Sequence, residues 1–447
     1  MPKARCHATA LIAAFFLCLG LSCRSAAATG HTPGPDAAPA AKAMPERAVD
    51  PHVAHVRFHF DDPEMDFVFG SLVLGTTVTH GCEIGEAFTT AANITDGDAA
   101  SWQEQWQKTA RLVEDRGEKA FAGGHRVSAR EQFLRAASYF FAAHVSMLPA
   151  DPRFKKTALH GRALFQRAGK LMEPPVESIE IPFEGTVLPG YFRKAATTNA
   201  PAKTLLLLGG AETFAEELFF YIGPQALARG YNLLTVDLPG QGLLPLEGLF
   251  FRPDMAAPIK AVVDYALRRE DVDPRRLAVY GISSGGGFAP QAAMSDKRIG
   301  ALVMNNCVVD AAKGVAKMAV ATATPEVVRT WTSFKRQTNQ NIAWRFGLKP
   351  DDLPGLVKAN QGFAFDPAKV TAPALVLVSN GEYKSPEIKR QTMQCLTLLA
   401  NPQKHLVITP AEEGASNHCI MENRSLMAQE VFDWLDSLFS PATRPGS

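Results

Sequence analysis

From residue 177 onward the apolar positions fall into short unbroken runs: "TLLLLGG", "NLLTVDLPG", "RLAVYGIS", "ALVMNNCVV", "ALVLVSNGE" and "HLVITP". Helical stretches separate them. Continuous apolar runs of this length, spaced by helices, predict a mostly parallel sheet covered on both faces. Just before them, the two prolines of "MEPPVESIEIPFEGTVLPGYFRK" break a helix, and two strand-like runs meet around Glu184–Gly185. Between about residues 101 and 172 the period is helical instead, with an apolar face in "FLRAASYFFAAHVSML" and a further helix in "KKTALHGRALFQRAGKLM". "SWQE" and "SARE" fit the capping box, which predicts Ser101 and Ser128 as helix caps with Glu104 and Glu131 reaching back. Trp102 and Trp106, spaced i, i+4, are expected in the helix-packing core. No internal repeat is present.

The first residues follow another logic. Lys3 and Arg5 precede the apolar stretch "ALIAAFFLCLGLSC", and "SAAATG" offers small residues for cleavage near Ala28, the pattern of an export signal. Cys23 is an alternative lipid acceptor, although Gly20 stands where lipoprotein signals usually carry leucine. Residues 29–50 are rich in Ala and Pro and read as a tether. The chain therefore divides into a signal peptide (1–28), a linker (29–50), a mainly helical cap (51–175), a catalytic domain (176–440) and a short tail (441–447). A formal charge of +1 over 447 residues gives no reason to expect nucleic acid or an anionic membrane as partner. Beyond the leader, Cys82, Cys307, Cys395 and Cys419 lie far apart without CxxC spacing. They are expected as buried thiols rather than metal ligands, and export permits one disulfide whose pairing the sequence leaves open. His52, His55 and His59 are unevenly spaced and are expected on a solvated strand face.

The chemistry centres on "VYGISSGGGFAP". Gly281-Ile282-Ser283-Ser284-Gly285 fits G-x-S-x-G between an expected strand and helix, the context of a nucleophile elbow; Ser284 fails the same test. A serine needs a base, and the chain order on this fold is serine, acid, histidine. Only His405 and His418 follow Ser283. His405 begins the strand "HLVITP", whereas His418 falls in the loop "EEGASNHC", so His418 is the expected base. The acid should follow "ALVLVSN", where the usual pattern is D-x-x-V-P. Counting back four from Pro386 gives Glu382, with Asp310 and Glu387 as rivals. The oxyanion hole is expected from the N–H of Ser284 and that of Gly210 or Ala211. Asp237 in "DLPGQG" is expected to support the site structurally.

Taken together, "SWQEQWQKTA", "GHRVSAREQFLRAASYF", "IPFEGTVLPGYF", "DLPGQG", "YGISSGG" and "EGASNHC…FDWLDSL" resemble one subgroup of α/β-hydrolases over residues 56–440. That subgroup carries a helical domain before the catalytic one and includes dihydroxypseudooxynicotine hydrolase, a fungal polyketide-shortening pigment hydrolase and bacterial esterase-like proteins. The resemblance implies an α/β-hydrolase fold, a Ser-acid-His triad, and a helical segment lying over the active-site mouth. It also implies cleavage of an ester or of a carbon–carbon bond beside a ketone. The chain departs from the named carbon–carbon hydrolases at "NGEYKSPE", where they carry aspartate.

The expected function is that of an exported serine hydrolase acting on a small acyl or ketone substrate, aromatic or polyketide-like in view of the large aromatic cap. No metal or organic cofactor is required for that chemistry. A homo-oligomer is compatible with the sequence. A peptidase of the prolyl-oligopeptidase type shares the catalytic architecture, but the helical segment before residue 177 lacks propeller repeats. A non-catalytic binding protein on the same fold would be expected to lose Ser283 or His418.

Overall fold

The computed structural model describes residues 52–53, 55–196 and 200–439. The expected signal peptide, linker and tail lie outside these residues. Eight strands form one sheet in the order β1-β2-β4-β3-β5-β6-β7-β8. They are β1 (Glu177–Phe183), β2 (Thr186–Arg193), β3 (Ala202–Leu208), β4 (Asn232–Val236), β5 (Val272–Ile282), β6 (Ala301–Asn305), β7 (Ala374–Ser379) and β8 (Lys404–Thr409). β1 and β2 are antiparallel, as are β2 and β4, and every later pairing is parallel. Phe183 pairs with Thr186 across a two-residue turn in which Glu184 (φ 44°) and Gly185 (φ 82°) are both left-handed. That backbone twist suits a tight hairpin.

The apolar runs become central strands because both faces are covered. Every residue of β4, β6 and β7 is buried. Alternation divides the two sides: Leu205 and Leu207 join one core, while Leu206 and Leu208 join another. The second core is closed by Ile259 and Val262 of the helix Ala256–Leu267 and by Phe288 and Ala292. The first runs into the helical N-terminal segment, through Phe165, Trp102 and Trp106.

That segment is built from three long helices, α1 (Ala99–Ala122), α2 (Arg126–His144) and α3 (Phe154–Lys170). Trp102 and Trp106 are fully buried between them, and the indole of Trp102 donates to the Ala142 carbonyl (2.7 Å). Neither expected cap sits at a helix end. Asp98 caps α1 by accepting from the Ser101 N–H (2.7 Å), and the Ser101 hydroxyl turns back to accept from Thr95. An aspartate three residues upstream, followed by two alanines, extends the helix past the serine. Gly123 and Gly124 end α1, and α2 restarts at Arg126, so Ser128 already lies inside its first turn. The histidine-rich stretch is likewise not a strand. The carboxylate of Asp66 gathers the N–H groups of Phe58, His59 and Phe60 (2.8, 2.7 and 2.8 Å), which curls the segment into turns. Cys307 and Cys395 form a disulfide, and Cys82 and Cys419 are free and buried. Among the described residues no helix is long and apolar enough to cross a membrane.

One polar cluster ties the helices to the sheet. Arg162 of α3 donates to Glu216 (2.6 Å) and Asp237 (3.0 Å), and Tyr191 of β2 donates to the same oxygen of Glu216 (2.6 Å). Both carboxylates are fully buried. Burial raises the pKa of Asp237 to about 7 even though Arg162 opposes the shift. Asp237 thus has the supporting role expected of it. Removing the guanidinium that bonds to both carboxylates strands them away from water, so Arg162→Ala is expected to cost about 3–5 kcal/mol in urea unfolding.

Candidate active site

β5 ends at Ile282, and α5 (Gly285–Ser295) begins three residues later. Ser283 makes the turn between them with φ 56°, a left-handed value that is rare for a residue with a side chain. Its N–H donates to the Asn305 carbonyl of β6 (2.6 Å). The flanking glycines are required by contact. A Cβ on Gly281 would lie 2.0 Å from the Gly285 carbonyl oxygen, and one on Gly286 would lie 1.8 Å from that of Asn306. The serine side chain is therefore lifted above the carboxyl end of the sheet, where parallel α/β sheets place their ligands.

His418 and Glu382 meet it there. His418 follows β8 in a short irregular turn, and Glu382 lies in the turn that follows β7. Glu382 Oε1 is 2.6 Å from His418 Nδ1, and His418 Nε2 is 2.9 Å from Ser283 Oγ. A carboxylate can only accept, so Nδ1 carries the proton and Nε2 of the neutral ring is the acceptor facing the serine. Glu382 is held by three further donors: Asn306 Nδ2 (2.9 Å), the Cys419 N–H (3.0 Å) and Ser379 Oγ (3.2 Å). Burial alone would raise its pKa, but the His418 charge and these hydrogen bonds bring it below the ordinary glutamate value. For His418, burial pulls the pKa down. The adjacent Cys419 sulfur and the Glu382 carboxylate outweigh it and hold the pKa well above the ordinary histidine value. Burial keeps Cys419 itself protonated, so the carboxylate is the decisive cause at neutral pH.

The rival acids are engaged elsewhere. Asp310 caps a short helix by accepting from the Lys313 N–H (3.1 Å) and pairs with the Lys313 ammonium. Glu387, in the helix Pro386–Leu398, pairs with Arg390. His405 lies in β8.

The turn after β3 brings Gly210 against Ser283; a Cβ there would lie 2.9 Å from the serine Cβ. Ser284 occupies the cap position of α5. A residue that pattern reading passes over organises this region. Gln241, in "DLPGQG", is buried and donates Nε2 to the carbonyls of both Gly209 (2.9 Å) and Gly210 (2.8 Å). In a trans peptide the N–H points opposite to the preceding carbonyl. Anchoring those two carbonyls therefore turns the N–H groups of Gly210 and Ala211 the other way. Asn306 was also missed, and nothing in "NNCVVD" singles it out. His52 is a third: its ring packs edge-on against His418 (5.2 Å) and stacks on Phe67 (5.6 Å).

Several cavities reach both Ser283 and His418. One runs beneath the N-terminal helices past Phe67 and Phe141, and others are lined by Asn306, Val315 and Met318. Glu382, His418 and Cys419 also bring a carboxylate oxygen, a ring nitrogen and a sulfur within 4.8 Å of one another. Both imidazole nitrogens of that set are already occupied by Glu382 and Ser283.

The model of the alpha/beta hydrolase family matches residues 204–429, more than half of the chain. The chain belongs to the alpha/beta hydrolase family. It is 30% identical over 398 residues to 20-hydroxy-prefusarin hydrolase FUS2 of Gibberella moniliformis, covering 82% of this chain and 95% of that protein. It is 29% identical over 404 residues to hydrolase LUC6 of a Fusarium species, covering 82% and 94%. The crystal structure of 2,6-dihydroxy-pseudo-oxynicotine hydrolase superposes with a TM-score of 0.66 at 22% identity, covering 82% of this hydrolase and 96% of that chain. At that identity the likeness concerns the fold, including the helical N-terminal region.

The electrostatics of this hydrolase can be read directly. In an NMR titration His418 is expected to show a midpoint above 6.5, and Glu382→Gln should lower it, because the carboxylate that favours the imidazolium is gone.

Proposed function

We propose that this hydrolase is an exported serine hydrolase acting on a small carbonyl substrate, an ester or a β-diketone. The observation that carries the reading is the unbroken hydrogen-bonded chain from Ser283 Oγ through both nitrogens of His418 to Glu382. His418 takes the serine proton as Oγ attacks the carbonyl carbon, and the resulting imidazolium is stabilised by Glu382. The oxyanion is met by the N–H of Ser284 and those of the Gly210–Ala211 turn, which Gln241 holds in orientation. His418 then protonates the leaving alkoxide or enolate. Water, deprotonated by the same imidazole, releases the acyl group from the serine. The relative named for 20-hydroxy-prefusarin supports a small organic substrate rather than a polymer.

Export is supported by two independent features, the leader pattern of residues 1–28 and the disulfide between Cys307 and Cys395. Disulfides persist mainly in oxidising compartments. Mass spectrometry of protein recovered from its native cells should find a mature chain beginning near residue 29. A chain retaining Met1 would contradict export, and a lipid on Cys23 would redirect it to a membrane anchor.

The enzymatic reading is tested with p-nitrophenyl acetate and an aryl β-diketone side by side. Ser283→Ala should lower kcat by about 10⁴-fold or more on whichever is turned over. Persistence of turnover in that variant would refute the role of the serine. Gln241→Leu should lower kcat by about 10- to 100-fold with KM little changed, because it disturbs donors that matter chiefly once the oxyanion forms.

A further inference from the structure

The cavity beneath the N-terminal helices is mainly carbon-walled, with Phe67, Leu72, Phe141 and Tyr221 among its lining. Besides His418, its wall carries Glu212, Glu217 and Arg424, and the last two differ in what they have left to offer. Arg424 is consumed by the protein: its guanidinium donates to the carbonyls of Met421 (3.1 Å), Phe220 (2.6 Å) and Ser71 (2.7 Å). Glu217 is not. It stands in the first turn of α4 (Ala215–Ala228), the helix that leaves the oxyanion turn. One of its oxygens accepts from the Phe214 N–H (3.0 Å), and among the described residues the other has no hydrogen-bond partner. The side chain is only half-buried although it stands in the interior, and what it exposes faces this cavity.

Burial raises the Glu217 pKa to about 8; the Phe214 N–H opposes the shift, Glu212 and Glu216 add to it, and Arg345 draws it back. At neutral pH the group is therefore largely a carboxylic acid, able to donate one hydrogen bond and to accept others. An apolar chamber that begins at the serine and presents a neutral donor–acceptor with one unpaired oxygen has a chemical preference. Hydrocarbon fills most of it, while a ligand lacking a polar group at this point leaves a desolvated carboxyl unpaired, which is costly.

We propose that Glu217 reads an uncharged polar group, a hydroxyl or a carbonyl, carried on an otherwise apolar portion of the substrate. This rests on Ser283 being the nucleophile, and the experiment separates the two ideas. Arylalkyl boronic acids present a single arm: boron accepts a lone pair from Ser283 Oγ as the serine proton passes to His418, leaving only the arm to choose a cavity. Three probes are compared, 2-phenylethylboronic acid and its 4-hydroxyphenyl and 4-(aminomethyl)phenyl counterparts. Their affinities are read as protection of Ser283 from a fluorophosphonate label.

The hydroxyl probe should bind about tenfold more tightly than the phenyl probe to the wild type. Glu217→Gln, which still donates and accepts, should keep that ratio, and Glu217→Leu should bring it to about one. Equal binding of the two probes by the wild type overturns the proposal, as does a ratio that Glu217→Leu leaves unchanged. Preference for the aminomethyl probe would also overturn it, making Glu217 an anion that reads a cation. Labelled protein that none of the three probes protects would overturn it as well. Absence of any label on folded protein would instead refute the nucleophile. If Glu217→Leu fails to fold without its bond to Phe214, the three-probe comparison in the wild type still decides.

Discussion

The site depends on how closely the backbone can approach itself at the end of β5. Ser283 holds a left-handed conformation that its side chain resists, and it is kept there by the bond from its N–H to Asn305 and by glycines with no room for a Cβ. The strain is local, but its geometrical consequences are not. The turn sets the serine oxygen above the sheet, points the start of α5 at the same space, and brings Asn306 beside Glu382. One crowded corner thus aligns elements from β3, β5, β6, β7 and β8, which is why residues so far apart in the chain meet in a single hydrogen-bonded row.

Within that row the carboxylate belongs to a glutamate, where the usual D-x-x-V-P pattern would supply an aspartate. Glu382 is one methylene longer than aspartate, and the surroundings compensate by fastening it at both oxygens. Asn306 holds the one that faces the imidazole, and Cys419 and Ser379 hold the other. A longer side chain with free torsions would orient a histidine poorly; one with its carboxylate fixed on several sides can do so as well as a shorter one.

How much of this the sequence disclosed follows from the range of each interaction. The strands were legible because both faces of the central ones are buried, leaving an unbroken apolar run. The elbow was legible because its glycines are needed within a few residues of the serine, and Glu382 because its turn lies at a fixed spacing before Pro386. Residues whose work is done across the fold left no local trace. Gln241 organises two carbonyls about thirty positions earlier, and Asn306 reaches a carboxylate on another strand. The cap at α1 was misread because Asp98 competes with Ser101 and wins. The histidines were misread because one carboxylate, Asp66, collects the backbone that a strand would have used.

The tie through Arg162 has a wider meaning. The Asp237 that this cap-side arginine grips also accepts from the Ala215 N–H, where α4 begins, and stands four residues before Gln241. The roof over the cavity and the floor on which the oxyanion would rest are thereby riveted to one buried carboxylate. Roof and floor are in that respect courses of one masonry. Any change that loosens the roof is then felt at the floor.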